Sequence, residues 1–204
     1  MKMAVAAMAL AAFAACGASL KAQDITLFDG EVKKGWSFAS WGGATLAAVD
    51  DPSNPGTRKV LKLSASNAAK PWAGGIYSTS DVSTPGEVAV PLTPELRKSG
   101  KLSFVVNGSD DEWGNHKGEQ KIQVAAGQKA SMQGKWSTGS YSLISGFIEG
   151  KQVDSDPTTW QKVEIPLSQI LPKEGDCIGS ITFQFYAEPS QAGLLIDKIK
   201  IVKQ

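Results

Sequence analysis

The chain of 204 residues predicts an all-β fold: two antiparallel sheets packed face to face as a jelly-roll β-sandwich. Three observations carry this. Short alternating runs recur about every eight to twelve residues, with Gly, Pro, Asn and Asp between them. No window sustains a helical period over three turns. Finally, Leu61, Leu63 and Ala65 alternate in one run, Leu102, Phe104 and Val106 in another, and Ile181, Phe183 and Phe185 in a third, each apolar on one face only. Strands with one dry face belong to antiparallel sheets, and two such sheets must close over a common core.

The N-terminus stands apart from this pattern. After Met1-Lys2 the chain runs from Met3 to Ala15 without a polar residue, too short to span a bilayer comfortably and too rich in small residues for a core helix. Residues 1–22 read as an export signal, and two endings compete. Cleavage after Ala22 follows the small-residue rule, although Leu20 is large for its position. Alternatively, Phe13-Ala14-Ala15-Cys16 followed by Gly17 resembles a bacterial lipobox with Phe in place of Leu; this lipoprotein signal ends before Cys16 and puts a diacylglycerol on it. Loss of 22 residues from 204 leaves 182, enough for one domain over 23–204 with a sizeable core. Lys2 and Lys21 leave with the signal, so 19 basic residues face 20 acidic ones. That balance gives no basic face for nucleic acid. Cys177 then has no disulfide partner within the chain and reads as a small buried hydrophobe. The expected address is exported: secreted, periplasmic or outer-membrane-anchored. The expected state is a monomer, touching membrane only through a lipid at Cys16.

Along the domain, Trp36 in Gly35-Trp36 and Trp160, in the strand with Val163 and Ile165, read as core. Trp72 lies in Lys70-Pro71-Trp72-Ala73-Gly74-Gly75, where a ring at a strand's entrance can lie flat for a ligand, and Trp41 before Gly42-Gly43 is a weaker case of the same kind. Thr93 caps a single helical turn to Ser99 that opens Thr-Pro-Glu-Leu, and Leu167 to Leu171 is another. Trp113 and Trp136 sit in the most polar stretch, Asn107 to Tyr141, among Asp110, Asp111, Glu112, Asn115, His116, Gln120 and Gln123. Sugars offer C–H faces that stack on aromatic rings, and hydroxyls that bond to carboxylates and amides. Trp72, Trp113 and Trp136 are therefore the candidate stacking platforms. Gln123 alternates with Ile122 and Val124, while Gln184 and Tyr186 alternate with Phe183 and Phe185, so these three are the candidate hydroxyl-orienting groups on a sheet face.

Catalysis finds little support. Retaining glycanases need two carboxyl groups about 5 Å apart, commonly as Glu-x-Asp-x-x-Glu on one strand, and no such run exists. Asp154 and Asp156 alternate, but Pro157 makes a turn there. His116 is the only histidine, against zinc sites and His-based triads. A lyase could use Tyr141 with His116, yet Arg58 and Arg97 are the only arginines and both lie outside that segment.

The closing run GLLIDKIKIVKQ poses a separate problem. Strict alternation puts Asp197 with Leu195, Ile199 and Ile201 on the core-facing side, where an unpaired carboxylate is prohibitive. Lys198 and Lys200 point the other way. A structural Ca2+ shared with Asp29 or Glu31 of LFDGE would supply the missing charge.

The order LFDGEVKKGW, RKVLKLSAS, PWAGGIYS, KLSFVVN, TTWQKVEIPLSQI, CIGSITFQFYAE, GLLIDKIKIV resembles the galactose-binding-like β-jelly-roll carbohydrate-binding modules of secreted bacterial polysaccharide-degrading systems. The likeness covers the chain after residue 23, except the segment from Gly108 to Asp156. It implies a non-catalytic binder of polysaccharide or oligosaccharide, with calcium held between Asp29 and Asp197. Two other readings remain open: a surface lipoprotein that uses the same fold for adhesion or protein contact, and a small glycan lyase or hydrolase.

Overall fold

The computed structural model describes residues 24–66, 69–79, 89–108, 122–129, 136–151, 153–154, 156, 158–172, 177–185 and 193–203. One sheet has the order β11 (Gln161–Pro166), β7 (Lys101–Gly108), β14 (Leu194–Val202), β4 (Lys59–Ala65), β3 (Ala44–Asp50), with β1 (Ile25–Phe28) also on β14; it is called sheet A below. The facing sheet B has the order β10 (Ser142–Leu143), β8 (Ile122–Lys129), β13 (Ser180–Phe185), β5 (Gly74–Thr79), β2 (Trp36–Trp41), with β9 (Trp136–Thr138) also on β8. A two-stranded ribbon joins β12 (Cys177–Ile178) to β6 (Val90–Pro91). Every pairing among the described strands is antiparallel. This is the predicted sandwich.

The core lies between the sheets and uses the residues that the alternation selects. Leu61 and Leu63 of β4, Leu102, Phe104 and Val106 of β7, and Ile181, Phe183 and Phe185 of β13 are all buried in it. Phe104 meets Phe183 edge-on across the gap, ring centres 5.6 Å apart. A second aromatic group closes the other end. Tyr77 of β5 stacks on Phe38 at 5.0 Å and lies against Trp36 at 4.8 Å, with Phe28 edge-on at 6.2 Å. Trp36 and Cys177 are buried, as expected. The two helical turns are also present. Thr93 caps Pro94–Ser99 by accepting the Leu96 N–H at 3.1 Å, and Leu167–Ile170 buries Leu167 and Ile170.

Two expectations about faces are corrected. Trp160 is half-buried and stands outside the core, because Val163 and Ile165 point inward and a residue an odd number of places away points outward. Asp197 is likewise not core-facing. Leu194 and Ile196 join the core together with Ile199 and Ile201, so the alternation changes phase within the strand. The register shows where: Asp197 pairs with Val105 but Lys200 with Ser103, so β14 carries one extra residue, a β-bulge. Lys198 sits in it with a left-handed φ of 52°. Asp197 therefore belongs to the outer side of sheet A, and is nonetheless only 4% exposed.

The bulge coincides with a change of partner. The first half of β14 pairs Leu194 to Ile196 with β4, and the second half pairs Ile199 to Ile201 with β1. Arg58 immediately precedes β4 and Asp29 immediately follows β1. Both thus arrive at the seam beside Asp197, which the Lys59 N–H to Gly30 C=O hydrogen bond closes at 3.2 Å.

Candidate functional site

On sheet B, inward Tyr77, Ile181, Phe183, Ile122 and Val124 alternate with outward neighbours, and register aligns the outward set. Trp41 pairs with Gly74, Gly74 with Gln184, and Gln184 with Gln123, so one row crosses β2, β5, β13 and β8. The neighbouring rows hold Ala39, Ile76, Thr182 and Ala125, then Ser37, Ser78, Ser180 and Gly127. Small side chains keep this face flat. In these two rows Thr182, Ser180 and Ala125 are buried, Ile76 and Ser78 are half-buried, and Ala39 and Ser37 are exposed at the β2 edge.

Glycine shapes that row. A side chain at Gly74 would bring its Cβ to 2.6 Å from the Phe183 carbonyl oxygen and 3.0 Å from the Trp41 ring, so the Trp41 indole lies across the bare backbone of β5. Gly42 and Gly43 link β2 to β3 with φ of 68° and 87°, the pair of positive values that type I′ turns require. Gly42 also lets the chain before β5 pack close: a Cβ there would stand 2.9 Å from Ala73 Cα and 3.3 Å from the Trp72 ring. The Lys70 N–H donates to the Gly42 carbonyl at 2.7 Å and fixes this approach.

Trp72 is 55% exposed, the most exposed large hydrophobic residue among those described. Its carbonyl accepts two side-chain donors, the Trp41 indole N–H at 2.8 Å and the Gln184 amide at 2.7 Å. Gln123 in turn donates its amide to the Gln184 carbonyl at 3.2 Å. The result is a linked series from Gln123 through Gln184 to the Trp72 backbone, with two indoles at one end. None of the four side chains is charged. Such an arrangement offers ring faces for stacking and neutral amides for hydroxyl groups.

The structure thus brings together three of the expected ligand residues, Trp72, Gln184 and Gln123, and joins to them the weaker candidate Trp41. The two glycine pairs, Gly42-Gly43 and Gly74-Gly75, were its sequence signal. Trp113 and Tyr186 lie outside the described residues. Trp136 opens β9 at the edge of sheet B, paired with Lys129, and its ring lies outside the described part.

The expected metal residues lie on the other sheet. Asp29 and Asp197 do come together, and Arg58 stands between them, one nitrogen (Nη2) donating to Asp29 Oδ1 at 2.6 Å and to Asp197 Oδ2 at 2.5 Å. These bonds, the one to Asp197 foremost, raise the Arg58 pKa above its usual value. The counter-charge that Asp197 demands is therefore present as arginine. Glu31 is exposed. Among the described residues no group of three or more His, Cys, Asp or Glu could hold a metal ion.

No protein-family model matches the sequence, and no curated protein matches it. Solved structures do match. A family 30 carbohydrate-binding module superposes with a TM-score of 0.62 at 19% identity, over 90% of this chain and 100% of that one. The family 30 module of a cellulosomal cellulase of Clostridium thermocellum gives 0.60 at 18% identity, over 90% and 99%. A family 11 module from Clostridium thermocellum, in complex with a β-1,3-1,4-mixed-linked tetrasaccharide, gives 0.54 at 19% identity, over 88% and 95%. Over nearly its whole length, this chain has the β-sandwich fold of these carbohydrate-binding modules.

Proposed function

We propose that this protein is an exported, non-catalytic module that binds a neutral polysaccharide or oligosaccharide on the outer face of sheet B. One observation carries the reading: the uncharged row Trp41, Gly74, Gln184, Gln123, flanked by exposed Trp72, on an otherwise flat face. Trp72 and Trp41 stack on sugar rings, and Gln184 and Gln123 orient hydroxyls. The likeness to carbohydrate-binding modules supports the ligand class, and the charged start followed by the apolar run to Ala15 supports export. Stacking on a few rings yields only about 0.5 to 1.5 kcal/mol each beyond area burial, so dissociation constants fall roughly between millimolar and micromolar.

A glycan array followed by affinity electrophoresis tests this. The mature domain is expected to be retained by one class of neutral glycan. Trp72→Ala should abolish most of that retention while moving stability by no more than about 0.5 kcal/mol, since the ring is exposed. Trp41→Ala should weaken it as well. Trp113→Ala, Trp136→Ala and Tyr186→Ala belong in the same series. Retention unchanged in Trp72→Ala and Trp41→Ala misplaces the site; no retention by any glycan leaves the adhesion reading, and new reducing ends establish an enzyme.

A further inference from the structure

We propose that Arg58 takes the place of a structural divalent cation: held between Asp29 and Asp197, it ties the first strand of the domain to the last at their seam in sheet A, and the domain keeps its fold without bound metal. The guanidinium supplies, between the two carboxylates, the positive charge that an ion would otherwise supply. Arg58 Nη2 contacts both carboxylates, 2.6 Å from Asp29 Oδ1 and 2.5 Å from Asp197 Oδ2. The nitrogen stands where an ion bridging the same two carboxylates would stand. A guanidinium stays charged at every pH at which proteins fold, so ion and arginine exclude each other there.

The calcium that the family resemblance implies does not fit these residues as they stand. Calcium takes six to eight oxygen ligands, which carboxylates, backbone carbonyls and waters can supply, but the guanidinium already fills the place between Asp29 and Asp197 and leaves an ion no room there. The surroundings are instead shaped to an arginine. At Gly30, φ is 82° and a Cβ would come within 3.1 Å of Arg58 Cγ and 3.6 Å of its guanidinium carbon, so the absent side chain leaves the arginine its path. The position is also the right one for a tie. The β1 and β4 ends meet there where β14 changes partner, and the bulge at Lys198 turns Asp197 outward to meet them. Asp197 Oδ1 is buried without a hydrogen-bond partner, so its charge depends on Arg58 alone among the described side chains.

Thermal melts of the wild-type domain in excess chelator and in calcium, with elemental analysis, provide the first test. The expected result is one melting temperature in both buffers and no stoichiometric calcium. A fall of several degrees on chelation, or one bound calcium per chain, overturns the proposal. Arg58→Gln and Arg58→Ala provide the second, because they leave two carboxylates facing an empty position. Both should melt lower than wild type, and calcium should raise their melting temperatures by several degrees while leaving wild type unmoved. Folded variants that calcium leaves unmoved overturn the idea that arginine and ion compete for one place; if neither variant folds, the wild-type comparison decides alone. None of these readouts involves a glycan, so the outcome is independent of the binding-face reading.

Discussion

A single phenol oxygen joins three segments near the sheet edge. Tyr77 donates its hydroxyl to the Leu27 carbonyl at 3.0 Å and accepts the Lys33 N–H at 2.8 Å, inside a ring of Trp36, Phe38 and Phe28. Burial pushes its pKa up to about 12. The raised value fixes the sign of a pH effect: the native state holds this proton more tightly than the unfolded chain, so the associated stability is complete below about pH 10 and is lost as pH rises toward about 12. Tyr77→Phe should cost about 1 to 3 kcal/mol at neutral pH by stranding the Leu27 and Lys33 backbone groups. The difference in urea midpoint between the two proteins should then shrink above pH 10, and a constant difference would show that the hydroxyl is not the titrating group. At this scale the sequence is legible only in part. Burial of Trp36 and Cys177 followed from their neighbours. Arg58 did not, because 139 positions separate it from Asp197 and no local pattern pairs them.

Elements were most legible where alternation ran undisturbed. The β4, β7 and β13 sets entered the core as expected except Ala65, which packs against it half-buried, and Thr93 capped its turn because a β-region hydroxyl ahead of Pro-Glu-Leu has one obvious donor to accept. In β14 the same rule gave the wrong face for Asp197, since one extra residue at the bulge shifts the phase and leaves no mark in the run of Leu, Ile and Lys. Trp160 went wrong by a parity count at the entrance of β11. The glycines of β5 mark a different kind of element feature, one where the missing side chain is itself the design. Gly74→Ala should force the Trp41 ring and the β13 backbone apart, costing about 1 to 3 kcal/mol of stability as overpacking does. It should also weaken glycan retention, because the same Cβ would press on the Trp41 ring and on Gln184 Cα, each 3.0 Å away. Denaturant melts together with affinity gels check both halves; full retention in Gly74→Ala would mean that the Trp41 indole does not meet the ligand.

For the whole molecule, the sandwich separates two tasks. Sheet A carries the seam where β1, β4 and β14 meet, and sheet B carries on its outer face the uncharged row of Trp41, Gly74, Gln184 and Gln123. The row on that face also has a length. It crosses four strands, hence three interstrand steps of about 4.8 Å each, or roughly 14 Å, running across the strands. A platform of that size is a ruler. On the proposed binding face, one sugar ring would cover only the indole end, whereas a short oligomer lying across the strands would meet Trp41 and Gln123 at once. Affinity should therefore climb with each unit added to an oligosaccharide series and level off once the chain outgrows the row, a saturation that isothermal titration over increasing chain length would reveal. If single sugars bound as tightly as the longest oligomer, the row would be serving as an end-cap pocket. That outcome would mean capture of chain termini, whereas a saturating climb would mean that the proposed face grips the middle of a polymer wherever four strands' width of it lies bare.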